Sequence, residues 1–275
     1  MDTLREQAFA ADDADDVPLA FELWGKLVED DTDGIASLKY GALAIQLEKW
    51  DVAEGALMEA FRLKPRASIV MALLGGLWSQ RTDRDRGESL QTAKQWFLRS
   101  LERKRIAPSL TFLGTLCVEL NEIGEAKAAF EEAIAIDPNY DEAMYNLAVL
   151  EEKTDPHRCV ALLKRAIEID PDYAIVHQAL GRTLQKLGDR AGAERHFRRC
   201  LEIHSDDYLS GLYLANLLGV MGRNEESEQT YRQAIAIEPE EASGWKFFAN
   251  FLESIGKGSE AAAVRTEAER IVPRD

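Results

Sequence analysis

Residues 131–148 read EEAIAIDPNYDEAMYNLA, and inside them lies the phrase AIAIDP, residues 133–138. AIEIDP follows 33 residues later at 166–171, and AIAIEP stands 68 beyond that, at 234–239. The longer step is twice 34, and at the tick between them residues 200–205 read CLEIHS, with Ser205 in the proline's place. A phrase that returns on such a ruler marks a repeat architecture, in which each unit leans only on its neighbours.

Alignment on the closing proline extends the ruler to Pro65, Pro138, Pro171, Pro239 and Pro273, with Arg105 and Ser205 in the vacant slots. Seven repeats result, at 34–65, 66–105, 106–138, 139–171, 172–205, 206–239 and 240–273, preceded by a degenerate unit at 1–33. Each reads as two helices. In the third, Leu110, Leu113, Leu116, Cys117 and Leu120 take the spacing of one helical face. The tetrapeptide NEIG, 121–124, reads as a turn, as do KLGD, VMGR and SIGK in later repeats, where glycine supplies a left-handed helix cap. EAKAAFEEAIAI is the second amphipathic run, and the proline after it cannot continue the hydrogen-bond ladder.

Three columns of small residues fix the register. Gly41, Gly75, Gly114, Ala148, Gly181, Ala215 and Ala249 stand midway along the first helices. Ala53, Ala93, Ala126, Cys159, Ala193, Ser227 and Ala261 stand early in the second, and Ala60, Ser100, Ala133, Ala166, Cys200, Ala234 and Ala268 one turn before its end. Small side chains let helix axes approach, and the recurring Leu57, Phe97, Phe130, Leu163, Phe197 and Tyr231 fill the space between. The three cysteines, Cys117, Cys159 and Cys200, all fall on packing positions, which points to buried thiols rather than a disulfide or zinc framework.

The period, these columns and the terminal proline resemble the tetratricopeptide repeat over roughly residues 34–273. Tryptophan, frequent at one position of the first helix in that family, occurs here only as Trp245; Ser37, Met71, Leu110, Met144, His177 and Gly211 hold the other slots. Repeat four lacks one residue in its turn, and repeat two carries about six extra within QRTDRDRGES, residues 80–89. The resemblance implies an all-α, right-handed α-solenoid, a superhelix with a concave groove lined by the first helices. It also implies a protein-binding scaffold or adaptor rather than an enzyme.

By the family's register the groove takes Leu38, Ile45 and Ile69 from the early repeats and Tyr145 from the fourth. Gln178, Arg182, Gln185, Lys186, Asn216, Lys246 and Asn250 come from the last three. Its early part is therefore apolar or neutral and its late part rich in donors. That suits a partner protein or peptide presenting apolar side chains and a carboxylate or backbone carbonyls. Lys246 and Asn250 match one helix of the family's carboxylate-holding set, and the neighbouring helices do not complete it. The alternative for this face is a solvated surface whose charges balance locally. The main rival function is a structural subunit that meets its assembly through the convex face, the ends or the 80–89 insert, which reads equally as a contact loop or a tolerated insertion.

Net charge is −16, and residues 1–34 hold eleven acids against two bases. An acidic chain repels phosphate, so nucleic acid and anionic membranes are excluded as partners. The acidic start reads as a solvated end or as a lure for a basic partner. No apolar run is long enough to span a bilayer and the first residues do not form a secretory signal, so a cytoplasmic location is expected. On the last helix, 258–272, Arg265 and Glu269 occupy columns that are apolar elsewhere. A polar outer face suits the capping end of a stack, and with it a complete chain and a monomer. None of the four histidines sits at metal-ligand spacing from another, and residues 204–207 (His-Ser-Asp-Asp) read as an inter-repeat turn rather than a metal loop. Phosphate loops, nucleophile elbows and HExxH are missing, so no cofactor, metal or catalytic residue is expected.

Overall fold

A computed structural model of the chain describes residues 2–271; Pro273, the last slot of the repeat ruler, lies outside them, as does Val272. Sixteen α-helices follow one another among the described residues, with no strand. They are α1 Asp2–Asp13, α2 Val17–Leu27, α3 Ile35–Gln46, α4 Trp50–Leu63, α5 Ser68–Gln80, α6 Arg86–Arg103, α7 Ala107–Glu119 and α8 Ile123–Ile136. Then come α9 Asp141–Glu151, α10 Pro156–Ile169, α11 Ala174–Lys186, α12 Arg190–Ile203, α13 Tyr208–Val220, α14 Asn224–Ile237, α15 Ala242–Ser254 and α16 Gly258–Ile271. The chain forms two compact bodies that meet in sequence inside α9, one ending at Ala143 and the other starting at Met144.

In the N-terminal body α1–α2, α3–α4, α5–α6 and α7–α8 are helical hairpins, each packed on the next. In the C-terminal body α11–α12, α13–α14 and α15–α16 are hairpins stacked in the same way, with α10 against α11. The all-α expectation of helix–turn–helix repeats stacked in chain order holds in each body, and the degenerate first unit is a true helix pair. That pair buries Ala8, Ala11, Ala20 and Trp24 together with Ala36 and Leu43 of α3.

The small-residue columns explain the hairpin geometry. All twenty-one positions are buried. A Cβ added at Gly114 would lie 2.5 Å from the Phe130 ring, and one at Gly75 would lie 2.6 Å from Phe97. At Gly41 the nearest atom is Leu57 Cγ at 2.7 Å, and at Gly181 it is the Phe197 ring at 2.7 Å. The filler of the second helix therefore sits on the backbone of the first, a distance that no β-carbon tolerates.

Helix ends follow local chemistry. Gly188, Gly222 and Gly256 take φ of 86°, 78° and 81°, the left-handed caps expected from KLGD, VMGR and SIGK. In the third repeat the reading of NEIG is corrected. Asn121 (φ 61°) takes that position and Gly124 lies inside α8, because the asparagine amide tolerates the left-handed region. The residue missing from repeat four is this one: no positive φ occurs there, and Asp155 caps α10 directly through the Arg158 amide at 2.9 Å. Asp207 caps α13 through the Ser210 amide at 2.6 Å, so residues 204–207 are a turn.

The insert of repeat two is not a free loop. Only residues 81–85 leave helical structure; Gln80 ends α5, and Arg86 begins an α6 of 18 residues where most second helices have 14. Arg81 is fully buried. It donates to Asp51 at 2.5 Å and Glu54 at 2.6 Å on α4, and to Asp83 at 2.7 Å within the insert. The insertion is thereby stapled to the preceding hairpin.

Candidate functional site

In the C-terminal body the first helices α11, α13 and α15 lie side by side and enclose a cleft of about 480 Å3. Leu209, Leu212, Tyr213 and Phe247 make its apolar wall, and Arg182, Gln185, Lys186, Asn216 and Ser243 its polar edge. A chain with 49 acidic residues places none of them in this lining. The Tyr213 ring stacks on Phe197 behind it, with centroids 5.6 Å apart, and the Arg182 guanidinium stands 5.8 Å from the Tyr213 ring. Phe247 is 52% exposed, a large apolar surface left to solvent.

Behind the polar edge Glu152 accepts from Arg182 at 2.9 Å and from Lys186 at 2.8 Å. Burial raises the Glu152 carboxyl, but the Lys186 hydrogen bond and the two nearby cations outweigh it and hold the group below the usual carboxylate range. Two cations therefore share one acid. Arg182 and Lys186 are both engaged by this acid, and their excess positive charge borders the cleft. Gln178 is similarly engaged, donating to Asp207 at 3.0 Å, and Gln185 donates to Asn216 at 3.4 Å.

Of the residues picked from sequence, Arg182, Gln185, Lys186 and Asn216 come together at this cleft. Asn250 lines an adjoining recess with Asn216 and Phe247 and accepts from Arg265 at 3.4 Å. Lys246 is exposed on α15, outside both linings, and Tyr145 is half-buried beside Tyr173, with ring centroids 6.1 Å apart. In the N-terminal body Ile69 is 59% exposed and Leu38 half-buried. Ile45, only 9% exposed, packs in the core cluster with Leu57 and Leu74, so its assignment to a partner-facing groove is corrected.

Tyr213, Ser243 and Phe247 were missed. Phe248 and Phe251 pack between repeats six and seven against Tyr231, each with ring centroids 5.4 Å from it, while Phe247 lines the cleft. A signal existed. Phe112, Tyr213 and Phe247 all stand two residues after the family's tryptophan slot, and Phe112 stacks on Phe97 as Tyr213 stacks on Phe197, in both cases at 5.6 Å.

One cluster elsewhere brings potential metal donors together: Cys117, Glu122 and Glu125 converge within 4.8 Å. The Lys94 ammonium already serves it, bonding Glu122 at 2.5 Å and Glu125 at 2.6 Å. Burial pushes the Cys117 thiol up to about 11, away from the thiolate a metal needs. All three cysteines are buried and free. Among the described residues no helix is long and apolar enough to cross a membrane.

Antiparallel helix pairs with a buried small-residue seam, stacked in chain order, define a helical-repeat protein. Residues 107–140 and 214–241 match one model of the tetratricopeptide repeat and residues 176–207 match another, so these stretches of the chain are tetratricopeptide repeats. Among solved structures it is similar to one described as a functional characterization of Pseudomonas aeruginosa pilF, with a TM-score of 0.68 at 15% identity, covering 81% of this chain and 97% of that one. Cut9–Hcn1, from the APC/C hetero-tetramer, gives a TM-score of 0.67 at 14% identity over 86% of this chain and 48% of the other. YrrB, described as a TPR protein with an unusual peptide-binding site, gives 0.53 at 19% identity over 68% and 95%. No curated protein matches the sequence.

Proposed function

We propose that this chain is a non-enzymatic interaction scaffold whose C-terminal body holds a segment of a partner protein in the cleft of α11, α13 and α15. The observation that carries the reading is an apolar wall, with Phe247 half exposed, beside a polar edge without a carboxylate. Contiguous exposed apolar surface rimmed by polar groups marks interaction sites, and an aromatic in a pocket is the usual anchor of such contacts. The peptide-binding site named for YrrB supports the class of function by likeness of fold alone. The occupant that fits inserts one or two large apolar side chains against Tyr213 and Phe247 and brings a carboxylate toward Arg182 and Lys186. The scaffold acts as a monomer in the cytoplasm.

The test is a selection from a random peptide-display library against the full chain. Affinities of the enriched peptides are then measured for the wild type, for Phe247→Ala and for Arg182→Glu combined with Lys186→Glu. Enriched sequences pairing an apolar residue with an acid, weakened tenfold or more by Phe247→Ala and by the charge reversal, support the proposal. Peptides that bind all three proteins equally refute it.

A further inference from the structure

The spacing of the histidines in sequence conceals a contact that the α11–α12 hairpin makes. Nδ1 of His177 on α11 lies 2.9 Å from Nδ1 of His196 on α12, with the rings stacked at 5.2 Å. His177 stands in the family's tryptophan slot and is buried, and its Nε2 lies 3.1 Å from the carbonyl oxygen of Pro171. A carbonyl only accepts, so Nε2 carries the hydrogen and Nδ1 of a neutral His177 is bare. His196 must then donate from its own Nδ1. The neutral pair satisfies every nitrogen at the contact with one proton between the rings.

We propose that the His177–His196 pair is an acid-sensitive latch, closed when both rings are neutral, that holds α11 against α12 and loosens when the pair takes up protons. One added proton goes to the bare Nε2 of His196, keeps the bond between the rings and places a cation in a half-buried hairpin. A second sets two N–H groups face to face at 2.9 Å, which breaks the contact. The surroundings oppose the charge. Arg195 and Arg199 of α12 and Lys164 of α10 bear on the pair with like sign, against Asp170 and Asp172 before α11 and Asp189 in the hairpin turn. Of these acids, Asp172 is paired with Arg199, and Asp189 caps α12 through the Gly192 amide at 2.8 Å. Burial, foremost, and then His177 and the neighbouring cations depress His196 to about 4, and burial lowers His177 as well.

The sign follows from linkage. The unfolded chain binds these protons near the ordinary value of 6.5 and the folded chain binds them later, so the stabilisation is complete above that value and fades as pH falls. A fall from 6.5 to about 4 in one histidine weakens the hairpin about tenfold at pH 5.5 relative to pH 7.5. The latch does not depend on what the cleft binds, although α11 also carries Gln178, Arg182, Gln185 and Lys186.

Hydrogen exchange of the full chain tests it. Protection factors of α11 and α12 amides, each corrected for intrinsic exchange, should fall about tenfold between pH 7.5 and 5.5. In His196→Gln, whose side-chain amide still donates to His177 but takes up no proton, the fall should shrink to the part that His177 alone contributes. An equal fall in both proteins overturns the proposal. So does a nuclear magnetic resonance titration of the folded wild type in which His196 titrates at 6.5, and that measurement needs no variant.

Discussion

Gly114→Ala tests whether close approach of the two helices, rather than helix propensity, governs the hairpins. The added Cβ would meet Phe130 Cε1 at 2.5 Å and Cδ1 and Cζ at 2.8 Å. Ordinary contact begins near 3.4 Å, so the ring or the helix must move by nearly an ångström. Phe130 is almost wholly buried, and Ala126 and Ala133, one turn to either side on the same face of its helix, are buried as well. Overpacking of this kind costs about 1–3 kcal/mol, and the gain in helix propensity on replacing glycine returns about 1 kcal/mol. The net expectation is a loss of up to about 2 kcal/mol. Gly55→Ala is the control: it is also helical and exposed, with nothing within 4 Å of the added carbon. There only the propensity gain remains, and stability should rise by about 0.5–1 kcal/mol. Adding Phe130→Leu to Gly114→Ala should recover part of the loss, since repeat four uses Ala148 with Leu163 in the same register. Urea unfolding followed by circular dichroism measures all four proteins. Two alanines that shift stability in the same direction would refute the steric account.

Glu48 occupies the left-handed cap position that glycine holds in later repeats, with φ 53°, so Glu48→Gly should stabilise the chain by about 1 kcal/mol in thermal unfolding, whereas Gly222→Ala, at φ 78°, should destabilise it. Glu228 and Lys257 pair at 2.7 Å with partly exposed side chains; a double-mutant cycle to Gln and Met should give a coupling of about 0.5–1 kcal/mol that shrinks in 1 M salt.

The fold was legible because its steric rule leaves a trace at every repeat: a seam that admits only Gly, Ala, Ser or Cys, a bulky filler, and a terminating proline. The cleft was half legible. Its polar edge came from the family's register, but the register skipped the position of Tyr213 and Phe247, where Tyr213 leans over Phe197, the filler of the preceding second helix. Phe248 and Phe247 are adjacent and equally apolar, and only the packed structure separates the one that is buried from the one left in solvent. The engagement of Arg182 and Lys186 was hidden for a different reason. Their acid, Glu152, lies 30 and 34 residues away in the preceding repeat, a separation that local charge patterns do not reveal. The imidazole pair was missed in the same way, since 19 residues of sequence collapse to hydrogen-bond distance across a hairpin. Arg81 looked like loop charge because its neighbours in sequence are charged, whereas it is the buried centre of three acids.

Four long-range pairs share a rule. The residue after the small position early in one second helix meets a residue at the turn that leads into the next second helix: Glu54 with Arg81 at 2.6 Å, Lys94 with Glu122 at 2.5 Å, Glu194 with Arg223 at 2.5 Å and Glu228 with Lys257 at 2.7 Å. Each spans from 27 to 29 residues, and each lies within one body. The apolar seams cannot by themselves fix how far one hairpin slides on the next, because their side chains are nearly alike along the helix and dispersion is non-directional. A charged hydrogen bond is directional, and a slip of one residue would break it. In Lys94·Glu122 the acid and base exchange places relative to the other three rungs, so what is preserved is opposite charge at a fixed separation. The seam supplies the attraction between neighbouring hairpins and the rungs set their register, which is what holds α11, α13 and α15 at the spacing the cleft requires.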